Sequence, residues 1–190
     1  MDRGNLFLTL IFLAIAVFTW WLNSGETDGD RSRVAKEGHF PDFYLENVNG
    51  TEMDERGFPA RNLSAQKMVH YADDKSTELL RPRMMVFERE DQPPWIIRSA
   101  SGLMSGNGVD LLLQGEVKID RESGEGVRPA HMTTRDLHIN TETEFARTDQ
   151  PVFAISLNDK IESVGMQAWL KAPVRIKLQS KVRGRYEVQE

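Results

Sequence analysis

The chain has 190 residues, 39% of them apolar, a net charge of −5 and no cysteine. That charge supplies no overall positive field for phosphates, which argues against nucleic acid as the main partner, and without cysteine there are no disulfides, thiol nucleophiles or Cys-based zinc sites. Fifteen apolar residues crowd into the 17-residue window 6–22, and no second stretch nears the ~18–20 that a membrane span needs, so a multi-spanning protein is excluded.

As a helix, residues 6–22 would span roughly 25 Å, slightly short of a ~30 Å hydrocarbon core. Trp20 and Trp21 close the run where an interfacial aromatic anchor would sit. A cleaved signal peptide is the rival, but its one small-x-small site, Ala14-Ile15-Ala16, lies inside the apolar run. We therefore expect an uncleaved signal-anchor helix over residues 1–23. Arg3 and the α-amine favour a cytoplasmic N-terminus, although Arg31, Arg33 and Lys36 follow on the other side. Residues 24–38 are polar and glycine-containing, as a tether would be, and residues 39–190 form the remaining domain.

That domain reads as all-β. Turn signals fall at 54–57 (Asp-Glu-Arg-Gly), 92–94 (Gln-Pro-Pro), 107–108 (Asn-Gly) and 122–126. Residues 60–80 fit an amphipathic helix about as well as a strand, and we take them as strand. Every odd position of 109–119 is apolar or glycine. In 174–188 one face carries Val174, Ile176, Leu178, Val182, Tyr186 and Val188, and the other carries Arg175, Lys177, Lys181, Arg183 and Arg185. Period two over such lengths means one face buried and one wet. Gly115 and Gly184 are expected at bulges or bends.

Four short segments resemble one another around Ala65, Ala100, Thr134 and Val164, at steps of 35, 34 and 30 residues. Each is followed by a glycine or proline before an apolar strand: Pro82, Gly115, Pro151 and Pro173. A repeat of this period implies stacked units too small to bury a face alone. Here the units are strand pairs, and they predict an elongated antiparallel sheet folded on itself with a continuous apolar lining.

Catalytic chemistry finds little support. His39, His70, His131 and His138 are scattered, and there is no H-E-x-x-H. Residues 102–106 spell G-x-x-S-G, not the G-x-S-x-G of a nucleophile elbow. No glycine loop suits a phosphate, and no metal or cofactor is expected. Two features stand out instead. The apolar lining is either an ordinary sandwich core or a groove for acyl chains. The cationic face of the last strand either protects an exposed edge from aggregation or recognises an anionic head group or an acidic partner strand.

Taken together, the apolar N-terminal window, the turn at 54–57 and the 65–71 stretch with His70-Tyr71 form a pattern. It continues through 79–82, Trp95, the 113–117 strand (Leu-Gln-Gly-Glu-Val), Thr133-Thr134, 148–152, Gly165-Met166 and 182–187. In this order and spacing the chain resembles the LptC family of lipopolysaccharide export proteins. The resemblance implies a single-pass inner-membrane protein of Gram-negative bacteria whose tether and β-jellyroll lie in the periplasm. It implies a span docked on an ABC transporter of LptB, LptF and LptG, a jellyroll that receives lipopolysaccharide, and LptA as the next carrier toward the outer membrane. It implies no catalytic residues, since ATP is hydrolysed by LptB. The inward, lipid-facing candidates are Val48, Leu79, Leu111, Leu113, Val117, Phe153, Ile155, Ile176, Leu178 and Tyr186. The candidate partner edges are Phe43, Leu45 and Met53 on the transporter side and Arg183, Gly184 and Arg185 on the LptA side. The competing expectation is a structural adaptor that binds no lipid.

Overall fold

A computed structural model describes residues 39–186 together with Thr19. Apart from Thr19, the expected span and tether lie outside the described residues, as do residues 187–190. Among the described residues, no helix is long and apolar enough to cross a membrane.

The β region holds ten strands: β1 (Pro41–Met53), β2 (Pro59–Tyr71), β3 (Thr77–Leu80), β4 (Arg83–Val86), β5 (Trp95–Met104), β6 (Asp110–Arg121), β7 (Ala130–Asn140), β8 (Phe145–Ser156), β9 (Asp159–Trp169) and β10 (Arg175–Arg185). They follow one another as an antiparallel meander, with β3 and β4 sharing the lane between β2 and β5. β1 and β10 are the two edges. Residues 60–80 are strand, as expected, broken only by the turn after Tyr71. The turn signals at 54–57, 92–94, 107–108 and 122–126 all fall between strands.

Each lane is bent near its middle. Register breaks lie at Ser99/Ser101, Leu113/Glu116, Thr133/His138, Thr148/Pro151 and Ser180/Arg183 in successive strand pairs. Left-handed residues sit on the same line: Asn47, Arg81, Gly115, Asp136, Gly165 and Lys181. Such bulges bend a strand and sharpen its twist. They divide the sheet into a front half, holding β3 and 110–113 of β6, and a back half, holding β4 and 116–121 of β6. The two halves face each other across one core. In the front half this core includes Leu79, Leu111, Leu113, Leu137, Ile139, Met166 and Ala168. In the back half it includes Val86, Ile97, Val117, Ile119, Met132 and Val152.

The sequence repeat marks this line. Pro82, Gly115 and Pro151 lie on it, one strand apart from the Ala65, Ala100, Thr134 and Val164 segments. Bending a ladder strips carbonyls of their partners, and buried carbonyls need replacements. The Ser/Thr of the repeated segments donate them: Ser64 Oγ to Arg83 O (3.3 Å), Ser99 Oγ to Ser101 O (2.7 Å), Thr134 Oγ1 to Pro151 O (3.0 Å) and Ser163 Oγ to Gly165 O (3.5 Å). Pro173 departs from the pattern, since it lies in the loop before β10. Lys181, not Gly184, carries that strand's bend.

Gly115 adopts φ +72°, and a Cβ there would touch nothing within 4 Å. The strain of a substitution is therefore confined to the backbone. Gly115→Ala is expected to cost about 1–2 kcal/mol, read as a fall of several degrees in the melting midpoint by circular dichroism.

The bend also corrects one predicted face. Val152 is 1% exposed and points inward, whereas Phe153 (52%) and Ile155 (44%) lie on the outer surface. They are larger than Val152 and Ala154, but β8 shifts register between Thr148 and Pro151, and that sets which parity faces in.

Candidate functional site

The space between the two halves is the candidate site. A cavity of about 20 Å³ is walled from the back half by Trp95, Ile97, Ile119 and Met132, and from the front half by Leu137, Ala146, Met166, Ala168 and Ile176. Leu170 and Val174 close it from the loop before β10. The wall is wholly apolar, and the space holds one water's worth of room.

Predicted inward residues distribute unevenly around it. Leu79, Leu111, Leu113 and Val117 are buried in the core, each 2% exposed or less. Leu178 packs against that core from β10, and Ile176 lines the cavity while remaining partly exposed. Val48 is half-buried opposite Ala65 near the β1 edge. Tyr186 is 69% exposed and does not line the interior; its ring stands over Gly184, 2.9 Å from where a Cβ would lie. Met132, Leu137, Met166 and Ala168 escaped the sequence reading. The left-handed Asp136 and Gly165 interrupt the alternation of β7 and β9, so no unbroken period two marked them.

Both edges expose apolar side chains. β1 is exposed along nearly its whole length, with Phe43, Tyr44, Leu45 and Met53 each about half or more uncovered. Phe43 stacks on His70 with centroids 4.8 Å apart, and Lys67 Nζ stands 4.7 Å from the Tyr44 ring centre. At the other edge Val182 is uncovered beside Arg183, Gly184 and Arg185. The β1–β2 hairpin is fixed by Asp54, whose Oδ1 accepts N–H bonds from Arg56 and Phe58, both 2.9 Å. The Phe58 amide above all, and the Arg56 guanidinium further, hold the Asp54 carboxyl below its ordinary range.

Opposite the bend, loops of the two halves meet along a seam crossed by two ties. From the back half, Arg61 donates through Nη1 to Thr141 O (2.8 Å) and stands 3.6 Å from Glu144 Oε1, both in the β7–β8 turn of the front half. From the same half, Glu88 Oε1 accepts the Val174 N–H at 2.5 Å, and Glu88 Oε2 pairs with Arg121 at 2.5 Å. Arg121 also donates to Pro93 O (3.1 Å) and Gln92 Oε1 (3.2 Å) and stacks on Trp95. On the outer face, burial pushes the Asp120 carboxyl up, but hydrogen bonds from His131 and Arg98 outweigh it and hold it low.

A ten-stranded bent meander with an apolar interior and two open edges agrees with one family comparison. The profile described as lipopolysaccharide-assembly, LptC-related matches residues 8–187. The chain belongs to the LptC-related family. No curated protein matches it. As an LptC-family protein it is a component of lipopolysaccharide transport in the cell envelope, and its all-β architecture fits the jellyroll-like fold of that system. The LptC family is a transport component.

Proposed function

We propose that this LptC-family domain carries lipopolysaccharide by holding lipid A acyl chains between the two halves of its bent sheet. The observation that carries the reading is the wholly apolar wall contributed by both halves. Each buried CH₂ contributes about 0.8 kcal/mol, so several chains could be held without charge pairing. Lipid is received from the LptB, LptF and LptG transporter at the β1 edge (Phe43, Leu45, Met53). It leaves to LptA at the β10 edge (Arg183, Gly184, Arg185), each edge extending the sheet by strand addition. An N-terminal span, with the N-terminus cytoplasmic and the domain periplasmic, anchors the protein in the inner membrane.

Photo-crosslinkers at Leu113 and Ile176 in cells should capture lipopolysaccharide. Capture confined to the outward Lys118 and Lys177 would overturn the assignment. The small cavity, about 20 Å³, favours one second reading, a structural adaptor that binds no lipid; protein purified free of lipopolysaccharide would support it.

A further inference from the structure

An acyl chain cannot fit a cavity of about 20 Å³, so any lipid held between the halves requires them to part. The bend cannot supply that opening cheaply, because its carbonyls are already bonded by buried hydroxyls such as Thr134 and Thr148. The opposite side is different. There the halves are joined by side-chain ties at the ends of loops, beside an opening of about 830 Å³ whose lining includes Arg61, Glu88, Arg89, Glu144 and Lys171.

We propose that Arg61 and Glu88 form a two-point latch on this seam, and that its release admits acyl chains to the interior; the inference rests on the lipid-holding reading above. Arg61 is held on its own half by Glu52 at 2.8 Å and reaches across to Thr141 O and Glu144. Glu88 is held on its own half by Arg121 and reaches across to the Val174 N–H. In both ties an ion pair within the back half keeps the crossing side chain in place. Parting the halves thus breaks the crossing bonds to Thr141, Glu144 and Val174 and leaves no buried charge unpaired. That asymmetry separates a latch from a structural ion pair: the ion pairs within the back half stay intact on opening, and the crossing contacts are exchanged for water. The Glu88 and Arg121 side chains are each 11% exposed, and Arg61 is 14% exposed, so these contacts are partly screened from solvent in the closed form.

The absence of cysteine makes the test direct. In the full chain, in membranes, Arg89→Cys and Lys171→Cys flank the opening without belonging to either tie. Joining them with a short reducible bis-maleimide should abolish capture of lipopolysaccharide by a photo-crosslinker at Ile97, and reduction should restore it. Spin labels on the same pair should report a longer, broader distance distribution in the Arg61→Ala/Glu88→Ala/Arg121→Met variant. If the open form of the parent is populated at about 10% or less, initial capture at Ile97 should rise severalfold in that variant. Undiminished capture with the seam joined, or unchanged spin distances in the variant, would overturn the latch. If the unjoined parent captures no lipopolysaccharide at Ile97, the lipid-holding reading fails, and the spin distances alone then judge the latch as a joint of the fold.

Discussion

Leu113→Ala is expected to lower the stability of the β domain by about 2–5 kcal/mol. Leu113 is 2% exposed and lies on the front half immediately before the bend, paired with Gly102 on one side and Leu137 on the other. Gly102 has no side chain to move into the vacated space, and a Cβ placed there would already stand 3.4 Å from Leu113 Cδ2. Leu137, fully buried, is held by its own register. The gap therefore stays open, and the cavity penalty adds to the lost transfer energy. Chemical denaturation should show a lower midpoint with an unchanged slope. Leu112→Ala, one residue earlier on the outer face and half-buried, should cost distinctly less. Equal losses at the two positions would contradict the inward parity of β6.

The second large effect concerns Arg121. Arg121→Met leaves Glu88, 11% exposed, without its cation, and loss of one partner of a buried pair costs about 3–5 kcal/mol. Removing both charges should cost far less, because no desolvated charge then remains. Glu88→Ala/Arg121→Met is expected to recover most of the loss and to fall within about 1–2 kcal/mol of the parent. A double-mutant cycle by thermal denaturation measures the difference. Simple additivity of the two single substitutions would show that the pair is not coupled. The recovered variant keeps the fold while lacking the Glu88–Val174 bond, which makes it suitable for separating stability from the opening of the seam.

The strands whose alternation ran unbroken were the most legible. In β6, Leu111, Leu113, Val117 and Ile119 share one parity because Gly115 absorbs the bend without exchanging faces. β7 hides its pattern: Met132 and Thr134 face inward on even positions, but Leu137 and Ile139 do so on odd ones, since Asp136 takes a left-handed turn between them. β8 misled for a related reason. Phe153 and Ile155 have the size of core residues, yet Val152 is the one in the core, and only the register set at Thr148–Pro151 decides between the two sets. The seam was invisible for a different reason. Arg61 and Thr141 are separated by 80 residues, and Glu88 and Val174 by 86, distances over which no periodicity connects two positions. The repeat was visible as letters, but its meaning as a hydroxyl supply for bent ladders needed the carbonyls to be placed.

That alignment of bends also constrains how such a chain can change length. From Gly115 to Gly165 the left-handed positions are spaced so that Thr134 and Thr148 each meet a carbonyl of a neighbouring lane and Ser163 meets one of its own strand. One residue added inside a strand, between its turn and its bend, would move a serine or threonine off its acceptor and turn every later side chain onto the opposite surface. Residues added in the 122–129 or 87–94 loops would disturb neither. Insertions and deletions should therefore gather at the turns, and growth of the roll should proceed in whole hairpins, each bringing its own bend, its own hydroxyl and one more strip of wall.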